Sequence, residues 1–298
     1  MRFGIMTMQI GTLIPPDLAA ENAIAHLQGF SLAALVRTLA EDGFHLLELG
    51  GDLSLFLPQT YQPESISTLA KLKDELGLSY TTHLPLWSVE PSSPLEPVRK
   101  GSVEAVKHII QATQPLKPEV YVLHATGALA AEFYRMRLSD LAKSLLLRMF
   151  AARAQQSIEA ILKETGLPSR RLAIETVEFP FALTWNLAEE LDLSLCLDTG
   201  HVLSGFSGEI SIEEALEACL PRLAEVHLHD SPAHKAGEPI QYGRDHKPLG
   251  QGDLDVGWLL DRLQEAGFDG PIIFELQKEE ALASLATVRQ LRPALVNS

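Results

Sequence analysis

Two cysteines, Cys196 and Cys219, are all that the 298 residues contain. That excludes a disulfide framework and suits a reducing cytoplasm. Basic residues are scarce: 24 Lys and Arg stand against 39 Asp and Glu, a formal charge of −15. Such a balance repels phosphate backbones, so nucleic acid is not an expected partner. Long apolar runs are missing as well. Nothing approaches the roughly 18 apolar residues of a membrane-spanning helix. The opening Met1-Arg-Phe-Gly-Ile-Met6 is too short an apolar run for a signal peptide. Low-complexity tracts, repeats and composition shifts are absent, so residues 1–298 are expected to form one domain. The expectation is a soluble cytoplasmic protein with no membrane partner.

What is present is 46% hydrophobic residues, enough for a large core. Short apolar runs alternate with longer amphipathic ones. The runs predict strands at Arg2–Met6, Leu46–Leu49, Ser79–His83, Glu119–His124, Leu172–Glu175, Ser194–Asp198, Ala224–His229 and Pro271–Glu275. Amphipathic segments predict helices near 31–42, 63–76, 97–113, 139–165, 184–191, 212–220, 257–266 and 279–291. Residues 9–30, with Pro15 and Pro16, read as a long irregular loop. Eight strand-then-helix units predict an α/β fold, a single (β/α)8 TIM barrel.

Strands of such a barrel are buried on both faces, so their polar residues are informative. Glu48, His83, His124, Glu175, Asp198, His227, His229 and Glu275 fall at strand C-terminal ends, where this fold places its chemistry. A buried carboxylate or imidazole costs several kcal/mol unless it is paired or binds a metal. Asp198, with His201 three residues on, makes a plausible ligand pair, although a buried Asp beside a glycine is also common in plain turns. Glu175 follows Leu-Ala-Ile and has no basic neighbour in sequence, which favours a ligand, and Glu275 after Ile-Ile-Phe reads the same way. His227 and His229 alternate with leucine and point to one side. One is expected to bind metal and the other to bind or orient substrate. His83 and His124 read equally well as ligands or as histidines bonded to loop carbonyls. Glu48 is expected to hold the barrel floor or a loop. In Gly243–Asp253, a loop expected over the mouth, Asp245 and His246 can reach the site and Arg244 or Lys247 can meet an anion. A solvated charged loop explains that segment equally well.

Read together, Ile-Glu175, Leu-Asp198-Thr-Gly-His201, Val-His227-Leu-His-Asp230 and Phe-Glu275 resemble the xylose-isomerase-like barrel superfamily. That group includes sugar isomerases, sugar epimerases and the endonuclease IV group. The resemblance implies that Glu175, Asp198, His227 and Glu275 hold a divalent metal. Thr-His83-Leu-Pro and Val-Leu-His124-Ala-Thr-Gly look like the two strand-end histidines with which endonuclease IV binds further zinc. His246-Lys-Pro-Leu-Gly-Gln-Gly252 is similar to another of its motifs. The acidic ligand two residues before that histidine falls on Arg244 here, which puts a third ion in doubt. Tyr-Thr-Thr-His83-Leu-Pro-Leu, Tyr-Val-Leu-His124 and Leu-Ala-Ile-Glu175-Thr-Val-Glu-Phe-Pro-Phe are similar to the cobamide-remodelling phosphodiesterases.

The resemblance implies one to three zinc or manganese ions and a small substrate, phosphorylated or sugar-containing. The leading expectation is hydrolysis of a phosphodiester, with Glu175 bridging two metals. His83 and His124 would bind one, and Asp198, His227 and Glu275 the other. Paired cations lower the pKa of bound water toward about 7. His201, His229, Arg244 and His246 would meet substrate, or His201 and His246 a third ion. The alternative is a sugar or sugar-phosphate isomerase or epimerase, with Glu175 and Glu275 shuttling a proton around one ion and His201 on a sugar oxygen. A third reading is a ligand-binding barrel without turnover.

Overall fold

The computed structural model describes residues 1–15 and 17–295; Pro16, in the expected first loop, and residues 296–298, at the end of the expected domain, lie outside the described residues. Eight short strands form the centre: β1 (Arg2–Met6), β2 (Leu46–Gly50), β3 (Ser79–His83), β4 (Tyr121–Leu123), β5 (Leu172–Glu175), β6 (Ser194–Asp198), β7 (Leu223–His227) and β8 (Pro271–Phe274). Each pairs in parallel with the next, and β1 pairs with β8, so the sheet closes into a (β/α)8 barrel.

Period-two alternation explains why such apolar strands carry polar groups without loss of the core. Outward residues such as Leu47, Leu49, Ile174, Leu195, Leu197, Ile272 and Phe274 are buried against the surrounding helices. Leu32–Glu41 shows the local logic: Ser31 caps it by accepting from the Ala34 amide, and Leu32, Leu35, Val36 and Leu39 face the strands. Inward, Val120, Val122, Ala173 and Cys196 form a separate apolar plug low in the barrel. The inward polar residues sit above it, at the ends where the strands stop.

Several boundaries differ from expectation for physical reasons. Residues 9–30 are not one irregular loop. They hold short helices at Ile10–Leu13 and Ala23–Gln28, anchored where Gln9 donates to the Met6 and Leu276 carbonyls. β4 is shorter than expected because Glu119 turns to pair with Arg2 below the barrel. β7 ends at His227, after which Asp230 bridges to Lys247 instead of continuing the ladder. The helix expected at 184–191 begins already at Phe181, directly after Pro180. Among the described residues no single helix is long and apolar enough to cross a membrane. One bent pair, Ala20–Gln28 with Leu32–Glu41, passes on length and composition together but is broken by 89°.

Candidate metal centre

Strand register fixes where the strand-borne donors lie along the rim, with Asp198 and His227 sharing a rung. His83 lies level with Gly50 on β2 and Val122 on β4, Glu175 with Cys196, and Asp198 with His227. His124 and Glu275 are the first residues past β4 and β8. Glu175, Asp198, His227 and Glu275, all buried, each offer one ligand atom, and those atoms lie within 4.8 Å of one another. Four further groups overlap this one among the described residues: His83 and His124 with Glu175; His201, His229 and His246 with Asp198; His83 with His227 and Glu275; and Glu48 and Glu225 with His227. Glu175 Oε2 is 3.1 Å from His83 Nε2 and 3.0 Å from His124 Nε2.

Among the described residues, buried Glu175 Oε1 and His227 Nδ1 have ionic neighbours but no hydrogen bond of good geometry. Two such atoms at the meeting point of carboxylates and imidazoles are what a divalent cation would satisfy, so the donor set fits one. The electrostatics agree. Burial opposes a proton on His83, yet the hydrogen bond with Glu175 and the charge of Glu48 push it up to about 10. His201 rises to about 9 against burial, with Asp198 the leading cause, and His246 to about 11 through Asp245 and Glu275. Burial works against charge on Glu175 as well, but His124 and His227 hold it well below the usual carboxylate range. The carboxylates that raise these imidazoles would equally attract a cation.

Each expected site residue can now be located. Glu175, Asp198, His227, Glu275, His83, His124, His201 and His246 converge. His201 Nδ1 stands 3.3 Å from Glu175 Oε1 and 3.4 Å from Asp198 Oδ2. His229 stands one layer back: its Nδ1 accepts the His246 amide at 2.9 Å, so its Nε2 carries the proton and donates to Asp198 Oδ2 at 2.9 Å. Gly200 is required beneath it, since a Cβ there would run into the imidazole. His246 adopts a left-handed backbone, φ 54°, and reaches Glu275 Oε2 at 3.3 Å while Asp245 holds its other nitrogen at 2.7 Å. Arg244 is not brought in. It is exposed, bonds Gln241 and lines a neighbouring groove with Ser204, Ser231 and His234.

Glu48 is the residue that the sequence reading misplaced. It is 1% exposed, and its Oε1 lies 3.2 Å from His227 Nε2, inside the barrel beside the donors rather than at a floor or loop. That contact leaves His227 Nδ1 turned to the carboxylates. Glu225 sits one layer lower, bonded to Thr81 at 3.0 Å, and burial together with the Glu48 charge raises its carboxyl well above the usual range. The alternation in Ala-Glu225-Val-His227 carries the signal for it. Above the donors opens a cavity of about 310 Å3. Its apolar lining, Met6, Met8, Ile10, Leu86 and Trp87, comes from the end of β1 and the segments that follow β1 and β3.

The xylose isomerase-like TIM barrel family model matches residues 36–293. The chain belongs to that family. The Methanocaldococcus jannaschii protein MJ1311 is 23% identical over 248 residues, 82% of this chain and 79% of that one. Probable endonuclease 4 of Mycobacterium leprae is 32% identical over 110 residues, 37% of this chain and 41% of that one. A solved D-tagatose 3-epimerase-like protein superposes with a TM-score of 0.72 at 21% identity, covering 100% of this chain and 98% of that one. Sugar epimerases recur among the similar structures, each under 25% identical, and that likeness is one of fold. Family membership makes this a barrel of an enzyme superfamily that generally depends on metal, and the donor groups described above accord with that.

Proposed function

We propose that this protein is a divalent-metal-dependent hydrolase of a phosphodiester in a small molecule. One observation carries the reading: the Glu175 carboxylate belongs to two donor groups at once, one with His83 and His124 and one with Asp198, His227 and Glu275. Bound there, divalent cations would supply activation of water and neutralise charge developing on phosphorus. The chain itself does the rest. His229 fixes Asp198, Glu48 fixes His227, and Asp245 fixes His246, so each ligand or rim group has one orientation. His201 and His246, with ring centroids 5.6 Å apart, stand where they can donate to phosphoryl oxygens. The cavity has the size of a small-molecule site, and no Lys or Arg lines it, which supports a compact substrate over a nucleic-acid duplex.

A second reading, a sugar epimerase, is supported by the fold likeness and by one distance pair. His227 Nδ1 lies 3.6 Å from Glu175 Oε2 and 3.3 Å from Glu275 Oε1, so two carboxylates flank one point. Glu175 would then take a proton from a sugar carbon while Glu275, entering the step protonated, gives its own proton to the other face. Elemental analysis of purified protein, followed by turnover of bis(p-nitrophenyl) phosphate, cobamides and ketoses, separates the two. Two or more ions per chain with phosphodiester cleavage is the expected result. One ion with ketose epimerisation overturns the hydrolase in favour of the epimerase.

A further inference from the structure

One side of the cavity mouth is built against the usual rule for a water-facing surface. Trp87 and Phe56 are 53% and 57% exposed, and their rings meet edge to face with centroids 6.1 Å apart. Leu55 and Ile10, also close to half exposed, belong to the same group of loops after β1, β2 and β3. This lip is held rigidly. The Asp52 carboxylate, 5% exposed, accepts the Leu86 amide at 2.8 Å, and the Gly51 amide donates to the His83 carbonyl at 2.7 Å. Gly51 packs so closely on Pro85 that a Cβ would not fit. A buried carboxylate spent on fixing the loop that carries Trp87 is preorganisation, and preorganised exposed aromatics beside a cavity mark a binding surface.

What covers the lip follows from continuity. Trp87, Leu86 and Ile10 line the same cavity as His83, His124, Glu175 and Glu275, so one ligand can touch both. A substrate too large for the cavity of about 310 Å3 extends past Trp87, which lines its mouth and meets Phe56 edge to face. Anything attached to the reacting group on the β1–β3 side then lies on Trp87 and Phe56. An anionic lipid surface would find no basic partner there, since the cavity lining has neither Lys nor Arg and the chain carries −15.

Resting on the hydrolase reading, we propose that the substrate is amphipathic: a phosphate ester joined to a flat apolar group that lies on the Trp87–Phe56 lip. The test uses zinc-loaded protein titrated calorimetrically with two phosphodiesters, dimethyl phosphate as the methyl ester and methyl 2-naphthyl phosphate as the naphthyl ester. Wild type should bind the naphthyl ester about tenfold or more tightly than the methyl ester. In Phe56→Ala/Trp87→Ala that ratio should fall to about one, while Trp87→Tyr should keep most of it. Equal affinities in wild type, or an unchanged ratio in the double variant, overturn the proposal and leave the phosphate site standing. Failure of both esters to bind removes the hydrolase reading and the lip proposal together. Sedimentation with phosphatidylcholine vesicles by wild type but not the double variant, without a naphthyl advantage, makes the lip a membrane contact instead.

Discussion

Removal of the Glu48 carboxylate should weaken metal binding although Glu48 is not itself among the four central donors. Its Oε1 takes the proton-bearing Nε2 of His227 at 3.2 Å, which leaves Nδ1 as the lone-pair nitrogen facing Glu175, Asp198 and Glu275. In Glu48→Ala the imidazole loses its orienting acceptor, can rotate, and can place a proton on the wrong nitrogen. Loss of such a supporting carboxylate typically costs about 10–100-fold in metal affinity, or about 1.4–2.7 kcal/mol. Glu48→Gln keeps an oxygen that can accept from Nε2 and should fall near the tenfold end. Glu225→Gln is the control: that carboxyl is driven toward its neutral form by burial and the Glu48 charge, so the amide should change affinity little. Zinc competition against a chromophoric chelator gives the affinities, and the visible spectrum of the cobalt-loaded protein reports ligand geometry independently. If Glu48→Ala binds zinc as wild type does, with an unchanged cobalt spectrum, Glu48 does not position His227 and the reasoning fails.

Glu175→Gln should lower turnover at least about a hundredfold under either enzymatic reading while leaving the fold intact by circular dichroism, because Glu175 meets both His83 and His124 and the central donors. Gly200→Ala should drive the new methyl into the His229 ring, releasing Asp198. We expect a destabilisation of about 1–3 kcal/mol and reduced zinc content, read by thermal melting and elemental analysis. In metal-free protein His83, His201 and His246 are raised to about 10, 9 and 11, so the stability they contribute is full below their ordinary value near 6.5 and is lost as pH climbs through the folded values. The metal-free melting temperature should therefore fall between about pH 6.5 and 11, while zinc affinity at neutral pH should rise with pH as those protons are displaced.

Much of this was readable in the sequence because a parallel barrel makes polarity conspicuous. Glu175 after Leu-Ala-Ile and Asp198 after Leu-Cys-Leu stand out against strands that must otherwise be apolar. The same alternation marks Glu48 between Leu47 and Leu49. A single strand does not reveal what faces it across the ring, and His227 lies 179 positions away. Arg244 lies apart from the donors for a different reason. It is two residues from His246, but left-handed backbone at Gly243 and His246 turns the loop, so neighbours in sequence look in different directions. The short helices in residues 9–30 depend on Gln9 reaching Leu276, a contact with no local periodicity.

The ladder of main-chain hydrogen bonds also has a chemical role. Asp198 and His227 are level because β6 and β7 pair at that rung, and His83 is level with both Gly50 and Val122. A slip of one residue on any of these strands would turn its donor outward among leucines and present a hydrophobic side chain to the ion. The arrangement of the donor set is therefore held by peptide groups that are not part of it. A substitution far below the rim could empty the centre simply by letting one strand slide.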